Sequence, residues 1–370
     1  MKIKNEEELS AYVAKADGPL AVQGGGTRGI AQVGDVLSVA GLSGVTLYEP
    51  GALTLVAQAG TPVGEVEKEL AKHDQRLAFE PMDHRGLLGT KGAPTIGGVF
   101  AANVSGPRRI AVGAARDFLL GVRFVDGQGK IVKNGGRVMK NVTGYDLVKL
   151  MSGSFGTLGV LSEVSLKVLP KPETEATLVL SGLSDLAAVE ALSKAMGSPF
   201  EVTGAAHDPQ AGQTLLRIEG FEASVSYRIG KLRDLLGAAQ METLPADDSR
   251  AKWVDLRDVA AFQGVEGDVW RVSCKPSGGP GLAAKAGAQA HVFDWAGGLI
   301  WLRVVPGCDL RARLGAFDGH ATLVRASPET KAQLGVFQPE APGVAKLSAG
   351  LRARFDPRGI FNTGLMGDAG

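Results

Sequence analysis

The chain has few cysteines, and this limits the metal chemistry that it can perform alone. Its 370 residues include two cysteines, Cys274 and Cys308. An iron–sulfur cluster or a cysteine-rich zinc site needs more thiolates than these two supply. Nothing in the sequence indicates secretion, so a disulfide between the two is not expected.

Excess charge and long apolar runs are also lacking. The net charge of +1 gives no electrostatic reason to expect nucleic acid or an anionic membrane as a partner. No apolar run reaches the roughly 20 residues of a membrane helix, and residues 1–8 lack the apolar core of a signal peptide. We therefore expect a cytoplasmic protein that reaches the inner membrane only through partners.

Histidines are scarce and scattered. The five are His73, His84, His207, His291 and His320, and no two have the close spacing of metal ligands. A lone histidine is more often structural than catalytic, so the pattern predicts no metal site and identifies no clear catalytic base.

Glycine, in contrast, is abundant, with 52 residues and no fixed period, which excludes a collagen-like chain. Glycines and other small residues are concentrated at 95–106 and 153–163. Only glycine lets backbone N–H groups approach a large planar ligand without an intervening Cβ. The stretch 94–169 therefore predicts one wall of a cofactor site.

An earlier glycine loop narrows the choice of cofactor. Gly24, Gly26 and Gly29 match the G-x-G-x-x-G pattern, but residues 30–39 lack the helical periodicity that a Rossmann site requires. No Gly-Lys-Ser/Thr follows, which excludes a P-loop. We predict a nest of N–H groups that binds phosphate, with Arg28 adding charge. A tight turn between strands is the alternative, and the second glycine loop weakens it.

The chain length favours two domains. The break Pro170-Lys-Pro172 predicts a boundary, with domains at 1–170 and 171–335 and a C-terminal segment at 336–370. The second domain has two sets of alternating strands and helices, which is typical of a ferredoxin-like α+β lobe. Its aromatics Trp253, Phe262, Phe293 and Trp295 are either exposed or, more commonly for such residues, part of the core.

Local signals predict elements of the first domain. Asn5 with Glu8 predicts a helix start, and residues 61–70 predict a helix with a threonine cap. The turn Asp126-Gly-Gln-Gly129 between residues 119–125 and 130–133 predicts a hairpin.

Several spaced motifs of the first domain together resemble a known family. They are Gln23-Gly-Gly-Gly-Thr-Arg28, Pro94-Thr-Ile-Gly-Gly98, Ala102-Asn103, Ser105-Gly-Pro-Arg-Arg109, Gly113-Ala-Ala-Arg-Asp117, Asn141-Val-Thr-Gly-Tyr-Asp146 and Gly153-Ser-Phe-Gly-Thr-Leu-Gly159. They resemble the FAD-binding domain of the PCMH-type, or vanillyl-alcohol oxidase, flavoproteins. With the short second lobe, Phe355-Asp-Pro357 and Asn362, they are most similar to the small FAD-binding subunits of bacterial glycolate oxidases. The resemblance implies an α+β fold with a two-lobed FAD domain and a smaller ferredoxin-like cap.

The resemblance also implies roles for individual residues. Gly24, Gly25, Gly26, Thr27 and Arg28 would hold the FAD pyrophosphate. Gly159 and Val160 would meet the adenine end, and Asn362 would return from the C-terminal segment to the flavin ring. The pyrophosphate and isoalloxazine would be lined by Pro81, Thr95, Gly97, Gly98, Asn103, Ser105 and Gly106. Because no histidine precedes His73, non-covalent FAD is expected.

For catalysis, the resemblance implies oxidation of a 2-hydroxy acid such as glycolate to glyoxylate. Arginine is the usual partner of a planar carboxylate, which makes Arg108 and Arg109 candidates, although an ion pair is an equal alternative. His84 and Tyr145 are weaker candidates for catalytic roles. The His-rich motif of the larger 2-hydroxy acid oxidases is not found.

The resemblance therefore implies a chain that works beside a larger FAD-binding catalytic subunit and an iron–sulfur subunit. Two alternatives stay open. One is a free-standing FAD-dependent oxidase of another alcohol or hydroxy acid, and the other is a structural subunit with a vestigial FAD site.

Overall fold

A computed structural model describes residues 3–30, 33–137, 144–237 and 240–367. Residues 141–143, which begin the predicted Asn141 to Asp146 motif, lie outside the described residues.

The strands of the described residues follow in chain order. They are β1 (Leu20–Gln23), β2 (Asp35–Ser38), β3 (Val45–Glu49), β4 (Thr54–Gln58), β5 (Gln75–Arg76), β6 (Leu119–Val125), β7 (Ile131–Gly135), β8 (Val160–Lys167), β9 (Leu169–Pro170), β10 (Thr174–Ser181), β11 (Gly204–Asp208), β12 (Gln213–Gly220), β13 (Met241–Leu244), β14 (Asp268–Cys274), β15 (Ala290–Asp294), β16 (Leu299–Val304) and β17 (Gly319–Arg325).

The α-helices of the described residues are numbered in the same way. They are α1 (Glu6–Lys15), α2 (Val63–Ala71), α3 (Arg85–Leu88), α4 (Ile96–Ala101), α5 (Arg109–Val112), α6 (Ala115–Phe118), α7 (Leu147–Met151), α8 (Asp185–Met196), α9 (Glu222–Leu236), α10 (Ala246–Arg257), α11 (Gly279–Ala286), α12 (Leu310–Leu314), α13 (Pro328–Leu334) and α14 (Pro342–Phe355). None of them is long and apolar enough to cross a membrane.

The chain forms two compact units. Unit 1 contains residues 1–105, 113–171 and 339–370, and unit 2 contains residues 106–112 and 172–338. The short segment 106–112, which the predicted boundaries place in the first domain, thus belongs to unit 2. Contacts within unit 2 hold the segment there, because Arg108 is paired with Glu219 and the Gly106 carbonyl accepts from Trp295.

Unit 1 is built on an antiparallel sheet of five strands in the order β3-β4-β8-β6-β7. The predicted hairpin is present as β6 and β7, and Asp126 closes its turn by accepting N–H bonds from Gln128 and Lys130, both 2.9 Å long. Helix α1 begins at the N-cap Asn5, whose side chain accepts from the Glu8 N–H at 2.8 Å. Its buried Leu9 and Val13 join a core with Val125 and Val160.

The C-terminal segment belongs to unit 1 and extends its smaller sheet. Strands β1 and β2 pair in parallel, and Phe361 forms a parallel bridge with Leu20 on the other side of β1. The N–H of Leu20 donates to the Ile360 carbonyl at 2.6 Å, and the N–H of Asn362 donates to the Leu20 carbonyl at 3.0 Å. This pairing fixes Asn362 next to the first glycine loop.

Unit 2 contains the same topology twice. Its eight strands form one antiparallel sheet in the order β13-β10-β12-β11-β15-β16-β14-β17. The first half runs β10-α8-β11-β12-α9-β13 and the second runs β14-α11-β15-β16-α12-β17, so each half has the ferredoxin-like strand order 4-1-3-2. The halves meet where β11 pairs with β15 through His207 and Phe293.

The cores of unit 2 follow the alternation of side chains along its strands. On one face of the first half, Leu178 and Leu216 pack against helices α8 and α9. On the opposite face, Val179 and Leu215 pack with Trp253 of α10. Of the aromatics whose burial the sequence left open, Trp253, Phe262 and Phe293 are core residues.

One detail of the predicted elements differs. The predicted helix at 61–70 begins at Val63, and Pro62 rather than Thr61 occupies the cap position. The Thr61 hydroxyl donates instead to the Gln58 carbonyl at 2.7 Å, so it closes the turn before the helix.

Candidate cofactor-binding site

Unit 1 contains an open cleft. The cleft is lined by Val22, Gln23, Gly24, Gly25, Gly26, Thr27, Arg28, Gly29, Ile30, Val39, Ala59, Thr95, Gly97, Gly98, Ala101, Ala102, Ser154, Phe155, Gly156, Gly159, Val160, Leu161 and Asn362. Backbone and small side chains thus form most of its surface.

The first glycine loop leaves β1 and lies directly against the loop that precedes α4. A Cβ on Gly25 would lie 1.7 Å from the Ala93 carbonyl oxygen, and a Cβ on Gly92 would lie 2.3 Å from the Gly25 carbonyl oxygen. The Thr90 hydroxyl also donates to the Thr27 carbonyl at 2.8 Å. Glycine is therefore required where the two backbones touch, and the loop can present its N–H groups to the cleft.

The second glycine loop forms the neighbouring wall. Thr95 caps α4 by accepting from the Gly98 N–H at 3.3 Å. The Gly97 N–H donates to the Ala59 carbonyl at 2.8 Å, and a Cβ on Gly97 would lie 2.5 Å from that of Ala59. Glycine at 97 therefore allows α4 to begin in contact with the end of β4.

Arg28 places a cation without a partner in this cleft. Its guanidinium lies so close to Gly98 that a Cβ there would be 2.9 Å from Nη1. Its Nε is buried without a hydrogen bond to another described residue, and burial lowers the pKa of Arg28 to about 10. The side chain is thus still cationic at neutral pH. Arg28 is half-buried, and a cation with a buried, unpaired donor is costly, so the cleft favours an anionic ligand.

The third wall combines the 153–159 loop with the C-terminal segment. The Asn362 side chain accepts from the Val22 N–H at 2.8 Å and donates to the Phe155 carbonyl at 2.7 Å. A Cβ on Gly156 would lie 3.0 Å from the Asn362 amide nitrogen. Asn362 therefore ties two loops of the cleft together, in addition to the predicted contact with the ligand.

Four of the residues predicted to contact the cofactor lie outside the lining of this cleft: Pro81, Asn103, Ser105 and Gly106. The Asn103 side chain accepts from the Arg116 N–H at 2.9 Å, and Ser105 accepts from the Ala115 N–H at 2.8 Å. Both side chains therefore hold the loop that leads to α6. The Gly106 carbonyl accepts from Trp295 Nε1 at 3.1 Å within unit 2.

Several residues that line the cleft are not predicted individually by the sequence. Ser154, Phe155 and Gly156 belong to the Gly153 to Gly159 motif, in which only Gly159 has a predicted contact with the cofactor. Ala59 and Val39 follow strands β4 and β2, and only the tertiary fold brings these strand ends to the cleft.

Arg108, a candidate for binding the substrate carboxylate, is already paired with a carboxylate of the protein. Its Nε and Nη2 donate to the two carboxylate oxygens of Glu219 at 2.8 and 2.9 Å, and both residues are buried. This bidentate pair uses the planar edge that a substrate carboxylate would need. Arg109 has a different environment, with its guanidinium carbon 4.6 Å from the ring centroid of Trp295.

The weaker catalytic candidates are also away from the cleft lining. Tyr145 is 88% exposed. The neighbouring Asp146 accepts from the Lys149 N–H at 3.0 Å and so caps α7. His84 precedes α3, while the adjacent Asp83 is paired with Arg85 at 2.7 Å. Across the described chain, no histidine lines the cleft, and no group of three or more His, Cys, Asp or Glu side chains is arranged to hold a metal.

Comparison with known proteins agrees with this geometry. The model of the family described as "FAD binding domain" matches residues 1–135. Glycolate oxidase subunit GlcE of Escherichia coli (strain K12) is 35% identical over 356 residues, covering 94% of this chain and 92% of that protein. Glycolate oxidase subunit GlcD of Bacillus subtilis (strain 168) is 45% identical over 85 residues, which are 23% of this chain and 18% of that protein. A solved structure of alkyldihydroxyacetonephosphate synthase shares the fold, with a TM-score of 0.71, 17% identity, and coverage of 98% of this chain and 76% of that chain.

The cleft fits the expected cofactor on its own evidence. The half-buried Arg28, whose Nε is unpaired among the described residues, and the glycine loop beside it line the same cleft. Together with the family match and the relatives above, this site identifies an FAD-dependent oxidoreductase. The chain belongs to the PCMH-type FAD-binding flavoproteins and, among them, to the family of the glycolate oxidase subunit GlcE.

Proposed function

We propose that this chain is the FAD-binding subunit of a multi-subunit enzyme that oxidises glycolate to glyoxylate and passes the electrons to an iron–sulfur partner. The observation that carries the proposal is the half-buried Arg28 in the glycine-lined cleft, because its buried Nε has no hydrogen-bond partner among the described residues. The likeness to a subunit of glycolate oxidase over nearly the whole chain supports the substrate and the assembly.

The residues of this chain account for holding the cofactor. The backbone N–H groups of Gly24 to Gly26 and the Arg28 guanidinium would bind its pyrophosphate, since both offer donors to an anion. The loops joined by Asn362 would form the wall along its rings. When bound, FAD supplies the hydride acceptor for oxidation of the hydroxy acid at its α-carbon.

Two features favour dependence on partners for turnover. Oxidation of the alcohol requires a base for the hydroxyl proton, and among the described residues no histidine lines the cleft. The chain also has two cysteines, so an iron–sulfur cluster must come from another subunit. The proposal therefore assigns FAD binding to this chain and places electron exit on a partner.

The first test concerns the cofactor. Arg28→Gln is expected to weaken FAD binding by about tenfold or more, because a charge-assisted contact to phosphate is lost. Arg354→Gln removes the same charge from an exposed position of α14 in the same unit and should leave FAD affinity unchanged. Flavin absorbance and fluorescence titration measure both, and equal affinity in the two variants would contradict the assigned role of Arg28.

The second test concerns turnover. The purified chain should carry flavin yet show little oxidation of glycolate with an artificial electron acceptor, and the co-purified complex from the native host should show robust oxidation. Rapid turnover by the chain alone would favour a free-standing oxidase. A colourless chain that resists reconstitution with FAD would favour a structural subunit with a vestigial site.

A further inference from the structure

Unit 2 has a polar cluster on the sheet face opposite helices α11 and α12. Trp270 and Val272 of β14 point into the helix-covered core, so Arg271 between them lies on the other face. In the sheet register Arg271 stands between Trp301 of β16 and Thr322 of β17. Arg271 and its register partners therefore lie on three neighbouring strands, of which β17 is the edge of the sheet.

The Arg271 guanidinium has no hydrogen bond or ion pair with another described residue, and it lies over an aromatic ring. Its central carbon lies 4.9 Å from the ring centroid of Trp295, over which Arg109 also lies at 4.6 Å. Cation–π contacts orient a guanidinium but leave its N–H edge available for a planar anion.

The Trp295 ring is itself held firmly. Its Nε1 donates to the Gly106 carbonyl at 3.1 Å, and its backbone N–H donates to Asp294 at 2.7 Å. Trp295 and Ala296 both have left-handed φ angles, +51° and +56°, which non-glycine residues rarely adopt. Strain of this kind persists only where the surrounding structure enforces it, and it is concentrated at functional sites.

The cluster has more positive than negative charge. Burial and then the charge of Arg109 lower the pKa of Arg271 to about 10, and Asp294 opposes this effect. The pKa of His320 is also lowered, first by burial and then by the charges of Arg271 and Arg109. At neutral pH the cluster thus contains two arginine cations, one carboxylate and a neutral imidazole.

Hydrogen-bonding side chains share this sheet face with Arg271. Ser273 lies opposite His320 in the register, two residues along β14 from Arg271, and Thr322 lies directly opposite Arg271. The side chains of Ser273, Thr322 and His320 make no hydrogen bond with another described residue. A hydroxyl or imidazole group near a guanidinium can bind the oxygen next to a carboxylate.

We infer that this face of unit 2 binds the carboxylate of a small 2-hydroxy or 2-oxo acid through Arg271, with Trp295 and Arg109 positioning the guanidinium. A monocarboxylate fits better than a phosphate, because the planar fork of one arginine matches one carboxylate and the cluster has one net positive charge. The assignment to a hydroxy or oxo acid rests on the proposed function, whereas the anion site rests on the cluster alone.

The test uses the full chain as purified and a probe that cannot be oxidised. Oxamate has a carboxylate next to a carbonyl and no C–H bond at that carbon, and acetamide is an uncharged control of similar size. NMR titration should show saturable binding of oxamate and none of acetamide. Arg271→Gln should weaken oxamate binding by about tenfold or more. Arg250→Gln, which removes one exposed cation from α10 of the same unit, should bind as the parent does.

Equal oxamate affinity in Arg271→Gln and the parent, or no binding to the parent, would overturn the inference. Thermal unfolding checks that each variant folds. If Arg271→Gln does not fold, the test uses Arg271→Lys, which keeps the charge without the planar fork. This variant should still weaken oxamate binding by a large factor, and unchanged affinity would overturn the inference.

Flavin content is recorded in every sample. A flavin-free chain that binds oxamate would contradict the proposed function alone, and a flavin-loaded chain that ignores oxamate would contradict this inference alone.

Discussion

At the scale of single residues, the cofactor cleft depends on glycines, which have no side chain, as much as on the side chains that line it. Gly25 and Gly92 lie where a methyl group would overlap the facing backbone. Arg28 then occupies the space beside Gly98, where its Nε has no hydrogen-bond partner among the described residues. The same site therefore combines close backbone packing, which only glycine permits, with an uncompensated cation that favours an anionic ligand.

The glycine contacts can be tested by adding one methyl group. Gly25→Ala would place Cβ 1.7 Å from the Ala93 oxygen, so one of the two loops must move. We expect a loss of FAD affinity of about tenfold or more, since the N–H groups of the nest would be displaced. Fluorescence titration of FAD measures the loss.

The matched control is Gly64→Ala in helix α2, where a Cβ meets nothing within 4 Å. Alanine there should stabilise the fold by about 0.5–1 kcal/mol, because it restricts the unfolded chain and favours the helix. FAD affinity should stay unchanged. A Gly25→Ala chain that binds FAD as well as this control would show that the loop contact is not needed.

The candidate residues that lie in compact sequence motifs are brought together by the fold. The residues Gly24 to Arg28, together with Thr95, Gly97 and Gly98, line one cleft, and their contacts with the cofactor remain predictions. The role of Asn362 as a bridge between Val22 and Phe155 could not be foreseen, because it depends on a pairing between residues 340 positions apart. The burial of Arg108 against Glu219 depends on a similar long-range contact.

At the scale of elements, local signals predicted the helices that have them. Helix α1 was expected from Asn5 and Glu8, and both residues cap it. Helix α10 has no side-chain cap, and its first turn follows Pro245 without a polar capping residue. Its position is fixed instead by Trp253, which packs against Val179 and Leu215 on one face of the sheet. Tertiary packing of this kind leaves little trace in the local sequence.

A charged contact joins α1 to the large sheet of unit 1 and gives a testable dependence on pH. Glu6 accepts hydrogen bonds from Arg123 of β6, at 3.1 Å for the Nε bond to Oε1, and from Ser162 of β8. Burial alone would raise the pKa of Glu6, but these bonds outweigh it and lower the pKa from the ordinary value of 4.5. The folded protein thus favours the ionised form.

The lowered pKa of Glu6 determines how the stability of the fold depends on pH. A carboxyl with a lowered pKa stabilises the fold above its unfolded pKa, and the stabilisation is lost as pH falls through the folded pKa. Glu6→Gln should reduce the free energy of unfolding at neutral pH by about 1–2 kcal/mol, and the difference from the parent should shrink below pH 4.5. Urea unfolding across pH measures it. The exposed Glu7→Gln is the control, and an equal effect of the two would contradict the role of Glu6.

At the scale of the whole molecule, the chain enters unit 2 twice. Residues 106–112 join that unit before the chain returns to unit 1, and residues 172–338 complete it. The duplicated 4-1-3-2 topology explains why residues 172–338 form a continuous part of unit 2, because each half contributes its own four neighbouring strands to the sheet. The first passage has a different cause, since a seven-residue segment cannot form a core. Arg108 and Glu219 hold it through a buried ion pair, and Trp295 adds a hydrogen bond to Gly106.

The buried pair predicts strong coupling between these distant parts of the chain. Arg108→Met leaves the Glu219 carboxylate buried, with Arg217 3.9 Å away, and Glu219→Leu leaves the Arg108 cation buried. Each single change should lower the free energy of unfolding by about 3–5 kcal/mol, because breaking a buried pair strands a charge. The double variant should lose much less than the sum, since two apolar side chains of similar volume need no partner. Denaturant unfolding of the four proteins measures the coupling. Additive losses would show that the two side chains act independently and that the pair does not hold residues 106–112 in unit 2.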